Sequence, residues 1–197
     1  MGLEKLIIKG KINILGVIAA ILVLAVVFMG KPWWTLRGGE GFLEVTYSPT
    51  NIDITVLGKP INIPIIPYLT QAATIALALS AILLLVGSLI AGKSIGLSLT
   101  KVGYDKPLII TIVFTAALYM LPKMIGQTLG VEVPITGEKI LTLETMIGEV
   151  KVHASIPAKA ELLAGYYVAW FASVIALVSG IVHRLGYKAL TRSKPTK

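Results

Sequence analysis

Four stretches of this chain, 12–30, 69–92, 107–120 and 162–183, contain no Asp, Glu, Lys or Arg and are almost wholly apolar. A bilayer core of about 30 Å is crossed by roughly 20 apolar residues at helical rise, and three of the four stretches reach or nearly reach that length. The third breaks at Leu121-Pro122-Lys123 and resumes with Met124-Ile125-Gly126, which predicts a helix kinked or ended near Pro122. With 55% of residues hydrophobic, 14% charged and a mean hydropathy of +0.84, the balance is not that of a soluble domain. The expected fold is a membrane α-helical protein of a single domain, 1–197. Its four-transmembrane-helix bundle takes in about 12–30, 69–92, 107–127 and 162–185, and its tail covers 186–197.

The first apolar run follows Lys5, Lys9 and Lys11, as in a secretory signal, but it is too long, and Val27-Phe28-Met29-Gly30 is a poor cleavage site. An uncleaved anchor is expected. Met1-Gly2 lacks the Ser or Thr at position 6 that acylation favours, and no C-terminal Cys could be prenylated. Eleven of the eighteen cations lie in the N-terminus, the middle loop (Lys93, Lys101, Lys106) and the tail (Arg184, Lys188, Arg192, Lys194, Lys197), with only Glu4 and Asp105 against them. The loops 31–68 and 128–161 hold six cations and eight acids, and the remaining cation, Lys123, lies shortly before the second loop. By the positive-inside rule both termini are cytoplasmic and both long loops lie outside a multi-pass protein of the cell membrane. The basic tail then reads as a topology signal and a contact for anionic lipid, not as a nucleic-acid site.

Inside those loops the pattern changes to alternation. Leu43, Val45 and Tyr47 share a face opposite Phe42, Glu44 and Thr46, and Ile52, Ile54 and Val56 oppose Asp53 and Thr55, the period of half-buried strands. Ser48-Pro49-Thr50-Asn51 is a turn between them, and Gly58-Lys59-Pro60 leads into Ile61, Ile63 and Ile65, expected as an edge strand because Pro64 cannot donate to a ladder. The second loop repeats the design. Val131, Val133 and Ile135 precede a turn at Thr136–Lys139, then come strands from Ile140 to Thr145 and from Val150 to Ile156. One extracellular antiparallel β-sheet formed by both loops is expected, since single hairpins are marginal. There is no Cys to staple it. Absent Cys, with abundant Ile and Lys and many loop prolines, fits a thermophilic prokaryote.

Chemistry-bearing residues are sparse. Unless Lys123 falls inside the third helix, the apolar spans carry none of the charges that mark ion paths and proton relays. Thr74, Ser80, Ser88, Thr111, Thr115 and Ser173 are read as helix-to-helix hydrogen-bonding groups, as is Gln71. His153 lies on the polar face of a strand and His183 where the last helix leaves the membrane, too few for a haem or zinc site. Gly38-Gly39-Glu40-Gly41 reads as turn chemistry, not as a phosphate loop. No catalytic residue, cofactor or metal is expected. Small residues recur every fourth position at Ala172, Ala176 and Gly180, and at Gly16 and Ala20, which lets helices approach closely.

Pro32-Trp33-Trp34 after the first helix, Glu40-Gly41-Phe42-Leu43 opening a strand and Leu69-Thr70-Gln71-Ala72-Ala73 opening the second helix give the chain a resemblance to the claudin and peripheral-myelin-protein superfamily of four-helix membrane proteins. The resemblance implies a non-catalytic protein acting through contacts, in assembly or adhesion, laterally or to a surface layer. Its partners would be membrane lipids and other membrane proteins or a second copy. The alternative is an accessory, cofactor-free subunit of a respiratory or transport complex. Trp33 and Trp34 are expected as an interfacial junction. The candidate contact residues are Trp33, Trp34, Phe42, Leu43, Ile61, Ile63, Ala172, Ala176 and Gly180.

Overall fold

The structure, a computed structural model, describes residues 8–9, 12–129, 132–147 and 150–192. Lys5, Lys11, Val131, Glu149 and the tail residues 193–197 lie outside the described residues. Those described form four helices, α1 (Ile14–Met29), α2 (Ile66–Leu89), α3 (Ser94–Leu129) and α4 (Ala164–Arg192). They also form eight strands: β1 (Ile8–Lys9), β2 (Ile12–Asn13), β3 (Trp34–Gly38), β4 (Leu43–Tyr47), β5 (Ile52–Val56), β6 (Lys59–Pro60), β7 (Gly137–Ile147) and β8 (Val150–Leu162). Ile66–Leu89, Ser94–Met120 and Ala164–Tyr187 are long and apolar enough to cross a membrane, whereas α1, at 16 residues, is a shorter apolar helix. Three such helices point to a membrane protein.

The helix boundaries differ from those expected. Pro67 falls in the first turn of α2, where its missing N–H leaves no bond unmade, so the helix starts at Ile66. The larger change is α3. It begins at Ser94, takes in most of the stretch read as an inner loop, and runs on through Pro107 and Pro122. Ending it at Pro122 would orphan several carbonyls in apolar surroundings, while passing through frees one, so continuation is favoured. α4 likewise absorbs much of the expected tail.

Contacts divide the chain into two compact units. One comprises Met1–Gly30, Gln71–Thr111 and Tyr167–Lys197. Here Asn13 caps α1: its side-chain oxygen accepts from Gly16 N–H at 3.1 Å, and its amide donates to the Ser179 carbonyl and hydroxyl, both at 3.2 Å. Ala19, Ala20, Leu84 and Ala176 are wholly buried together, with Leu85, Tyr104 and Ile175 around them. Gly180 faces the ring of Tyr104, and the Thr111 and Ser173 hydroxyls meet at 3.0 Å. The stripe Ala172, Ala176, Gly180 is therefore buried among the chain's own helices. Gly103 packs against helix backbone: a Cβ there would lie 2.6 Å from Leu84 N and 2.8 Å from Ser80 O.

The other unit comprises Lys31–Thr70 and Ile112–Tyr166. Its sheet is antiparallel in the order β6-β5-β4-β3-β8-β7, so both loops contribute to one sheet. The strand that joins them is β3, paired over its five residues with β4 on one side and β8 on the other. Gly39, Glu40 and Gly41, with φ of +53°, +38° and +94°, reverse the chain between β3 and β4. Ser48 makes the next turn, its hydroxyl accepting from Asn51 N–H at 3.0 Å. Two expected strands do not form. After β6 the residues Ile61, Ile63 and Ile65 run irregularly into α2, because Pro60, Pro64 and Pro67 deny the segment ladder donors. Glu132–Thr136 is also irregular, and β7 begins at Gly137, inside the expected turn.

Gly103→Val should lower stability by about 1–3 kcal/mol, because the obstructing atoms are backbone and cannot swing aside. Thermal unfolding in detergent reads this directly, and an unchanged midpoint would disprove the close approach.

Candidate functional site

Pairing register fixes which side chains share a face of the sheet. Trp34 and Leu36 of β3, with Val45 of β4 and Ile54 of β5, lie on one face, and Leu141 of β7 and Ile156 of β8 continue it. That face lines a cavity of about 610 Å³. Ile63, Ile66 and Leu69 contribute from the irregular segment and the start of α2, Leu118 and Pro122 from α3, and Val133 from the loop before β7. No charged side chain lines it among the described residues. The opposite face is polar. Arg37 bonds Glu44 at 3.1 Å, Lys159 reaches Glu161 at 2.7 Å and Glu138 at 3.7 Å, and Thr46 bonds Asp53 at 3.5 Å. Glu161, then Glu138, hold the exposed Lys159 ammonium above its ordinary value.

Aromatic rings brace the cavity. Phe114 lies 4.8 Å from the Trp33 ring, edge to face, and 4.6 Å from that of Tyr47. Burial of Tyr47, half-buried at the cavity wall, pushes its phenol above the usual value. The indole N–H of Trp34 donates to the Ile135 carbonyl at 2.7 Å. Its one polar atom thus leaves the cavity face and ties the loop 132–136 to the sheet.

Beside this cavity is a second of about 670 Å³, and the two share Pro122 and Val133 as wall. Its lining is mixed: Lys123, Gln127, Glu132, Thr136 and Lys139 stand among Tyr119, Pro134 and Ile135. Lys139 pairs with Glu132. Lys123 is exposed and has no acid partner among the described residues.

The residues singled out from the sequence are thus distributed differently from their expected roles. Trp33 and Trp34 are 2% and 5% exposed, core residues and not a surface junction. Leu43 lines the cavity, and Phe42 and Ile63 line it while remaining partly exposed. Ile61, outside it, is exposed. His183 is fully buried, not interfacial, and its Nε2 donates to the Ala91 carbonyl at 3.2 Å. His153 lies opposite Glu144 in the β7–β8 ladder. Among the described residues no three of His, Asp and Glu come together as a metal-holding group. Lys123, Gln127 and Lys139 carry no site signal in the sequence beyond Lys123 following a proline at the end of an apolar run. Compared with protein-family models and with curated proteins, the chain matches none.

Trp34→Phe keeps the ring in the wall but removes the bond to Ile135. Hydrogen exchange at residues 132–136 should speed up, with a stability loss of about 1 kcal/mol. Exchange at wild-type rates would show that the indole does not hold the loop.

Proposed function

We propose that this chain is a non-catalytic integral membrane protein that acts by making protein contacts through its sheet. The observation that carries the reading is the edge strand β7. It spans 11 residues, pairs with β8 on one side, and has no strand on the other among the described residues. Unpaired edges of this length recruit further strands, from a second copy or another protein. The opposite edge, β6, has two residues and ends in Pro60, which makes it a poor template. Near the start of β7, Ile140 is 66% exposed, and it adds an apolar side chain to the unpaired backbone.

The cell membrane is the proposed location, with both termini cytoplasmic and both sheet-forming segments outside. The skew of cations toward the termini and the α2–α3 region supports that orientation. Kinship with claudin-like proteins is part of the same proposal. Its support is the order helix, strands, two helices, hairpin, helix, together with Pro32-Trp33-Trp34 directly after α1.

Two measurements test this. Chain purified in mild detergent should run as a self-assembly or with partner proteins. Ile140→Lys combined with Thr142→Lys, placing cations on the edge, should abolish that association without changing the melting midpoint. A lone monomer in the wild type would refute the contact role, and co-elution with haem-bearing or transport chains would reassign the protein as an accessory subunit. For orientation, protease added to intact cells should cut near Lys59 and Lys139 and spare the C-terminal end of α4. The reverse pattern would invert the topology.

A further inference from the structure

An apolar cavity of about 610 Å³ falls within the size range of small-molecule sites, and water gains nothing there because the lining offers it almost no hydrogen-bonding groups. The one indole N–H on that wall is already committed to Ile135. The adjoining compartment differs in carrying charged and polar groups among its apolar ones. Among the described residues it holds two lysines and one glutamate, and Glu132 pairs with Lys139, which leaves the Lys123 ammonium without an acid partner there. Pro122 and Val133 line both compartments, so an occupant bridging them passes from hydrocarbon-like to cationic surroundings across a single wall.

Lys139 sharpens the point. It is paired with Ala158, two residues before Leu141 on the same strand, so the register puts it on the apolar face of the sheet, at that face's border with the polar compartment. Lysine stems lie well along apolar walls while the head reaches polar ground. Gln127 and Thr136 supply uncharged donors beside it.

We propose that the two compartments together bind one anionic membrane lipid, its hydrocarbon chain under the sheet and its headgroup against Lys123, Gln127, Thr136 and Lys139. A chain with three helices able to cross a membrane has such molecules at hand. A soluble apolar ligand would not use the cations, and a peptide would leave its backbone groups unsatisfied in the cavity. The inference rests on the membrane reading but not on the protein-contact one: the charged edge variant of β7 that loses association should still bind lipid.

The test is native mass spectrometry of the full chain released from neutral detergent micelles containing equal amounts of phosphatidylglycerol and phosphatidylcholine. The wild type should retain one lipid, with phosphatidylglycerol favoured. Ile54→Trp, which fills the cavity from the sheet, should reduce that adduct by about tenfold. Should I54W not fold, as read by its melting curve, Val45→Phe fills the same space more gently and should act in the same direction. Lys123→Gln should lower the preference for phosphatidylglycerol by about fivefold while leaving total lipid retained. No retained lipid, a cavity-filling variant that folds and retains lipid at the wild-type level, or a Lys123→Gln variant with unchanged preference would each overturn the proposal.

Discussion

Trp34–Gly38 hydrogen-bonds on both sides, to Leu43–Tyr47 and to Ala158–Leu162, and the sheet depends on that double pairing. Without it the first segment is a small meander and the second a single hairpin, pieces that are marginal in isolation. The chain has no cysteine, so no disulfide shares the load. Leu36 and Ala160, opposite each other in the ladder, are separated by the whole of α2, α3 and β7. Closing a sheet through so distant a pair costs loop-closure entropy that is paid before the pairing returns anything.

Joining the two segments also creates the apolar face. Each strand contributes alternate side chains, and only with β3 in place do Val45 and Ile54 on one side become continuous with Leu141 and Ile156 on the other. The polar side is then committed to cross-strand pairs such as Arg37 with Glu44, which are exposed and contribute little energy but keep that face wetted. The asymmetry of the sheet follows from the central strand.

Much of this is legible in the sequence, and the misreadings have physical causes. The alternation in 43–47 and 52–56 yields both strands and their faces, and the apolar runs locate all four helices. β3 escapes notice because two tryptophans ahead of Thr35 and Arg37 look like an interfacial anchor, and because its second partner is far off in sequence. Ile61, Ile63 and Ile65 alternate like a strand, but alternation reports side-chain pattern and says nothing about the donors that three prolines remove. The start of α3 is hidden for the opposite reason: Ser94–Lys106 has helix-compatible residues but lacks the apolar density used to find spans, and its helix is held by packing such as Gly103 on Leu84. The polar compartment was not legible, since Lys123, Gln127, Glu132 and Lys139 converge only once α3 passes Pro122 and the loop returns to β7.

Lys139 connects the edge and the cavity. A lysine turned toward the apolar face near a sheet edge discourages indiscriminate strand addition, because an incoming strand that extended that face would have to bury the ammonium. Its partner Glu132 sits in the loop that Trp34 holds through Ile135, so the charge stays matched only while that loop stays docked. A strand added along β7 is therefore compatible with the native face only if Lys139 remains in its polar compartment. The same tie that keeps the cavity walled keeps the edge selective, and loosening the loop would relax both at once.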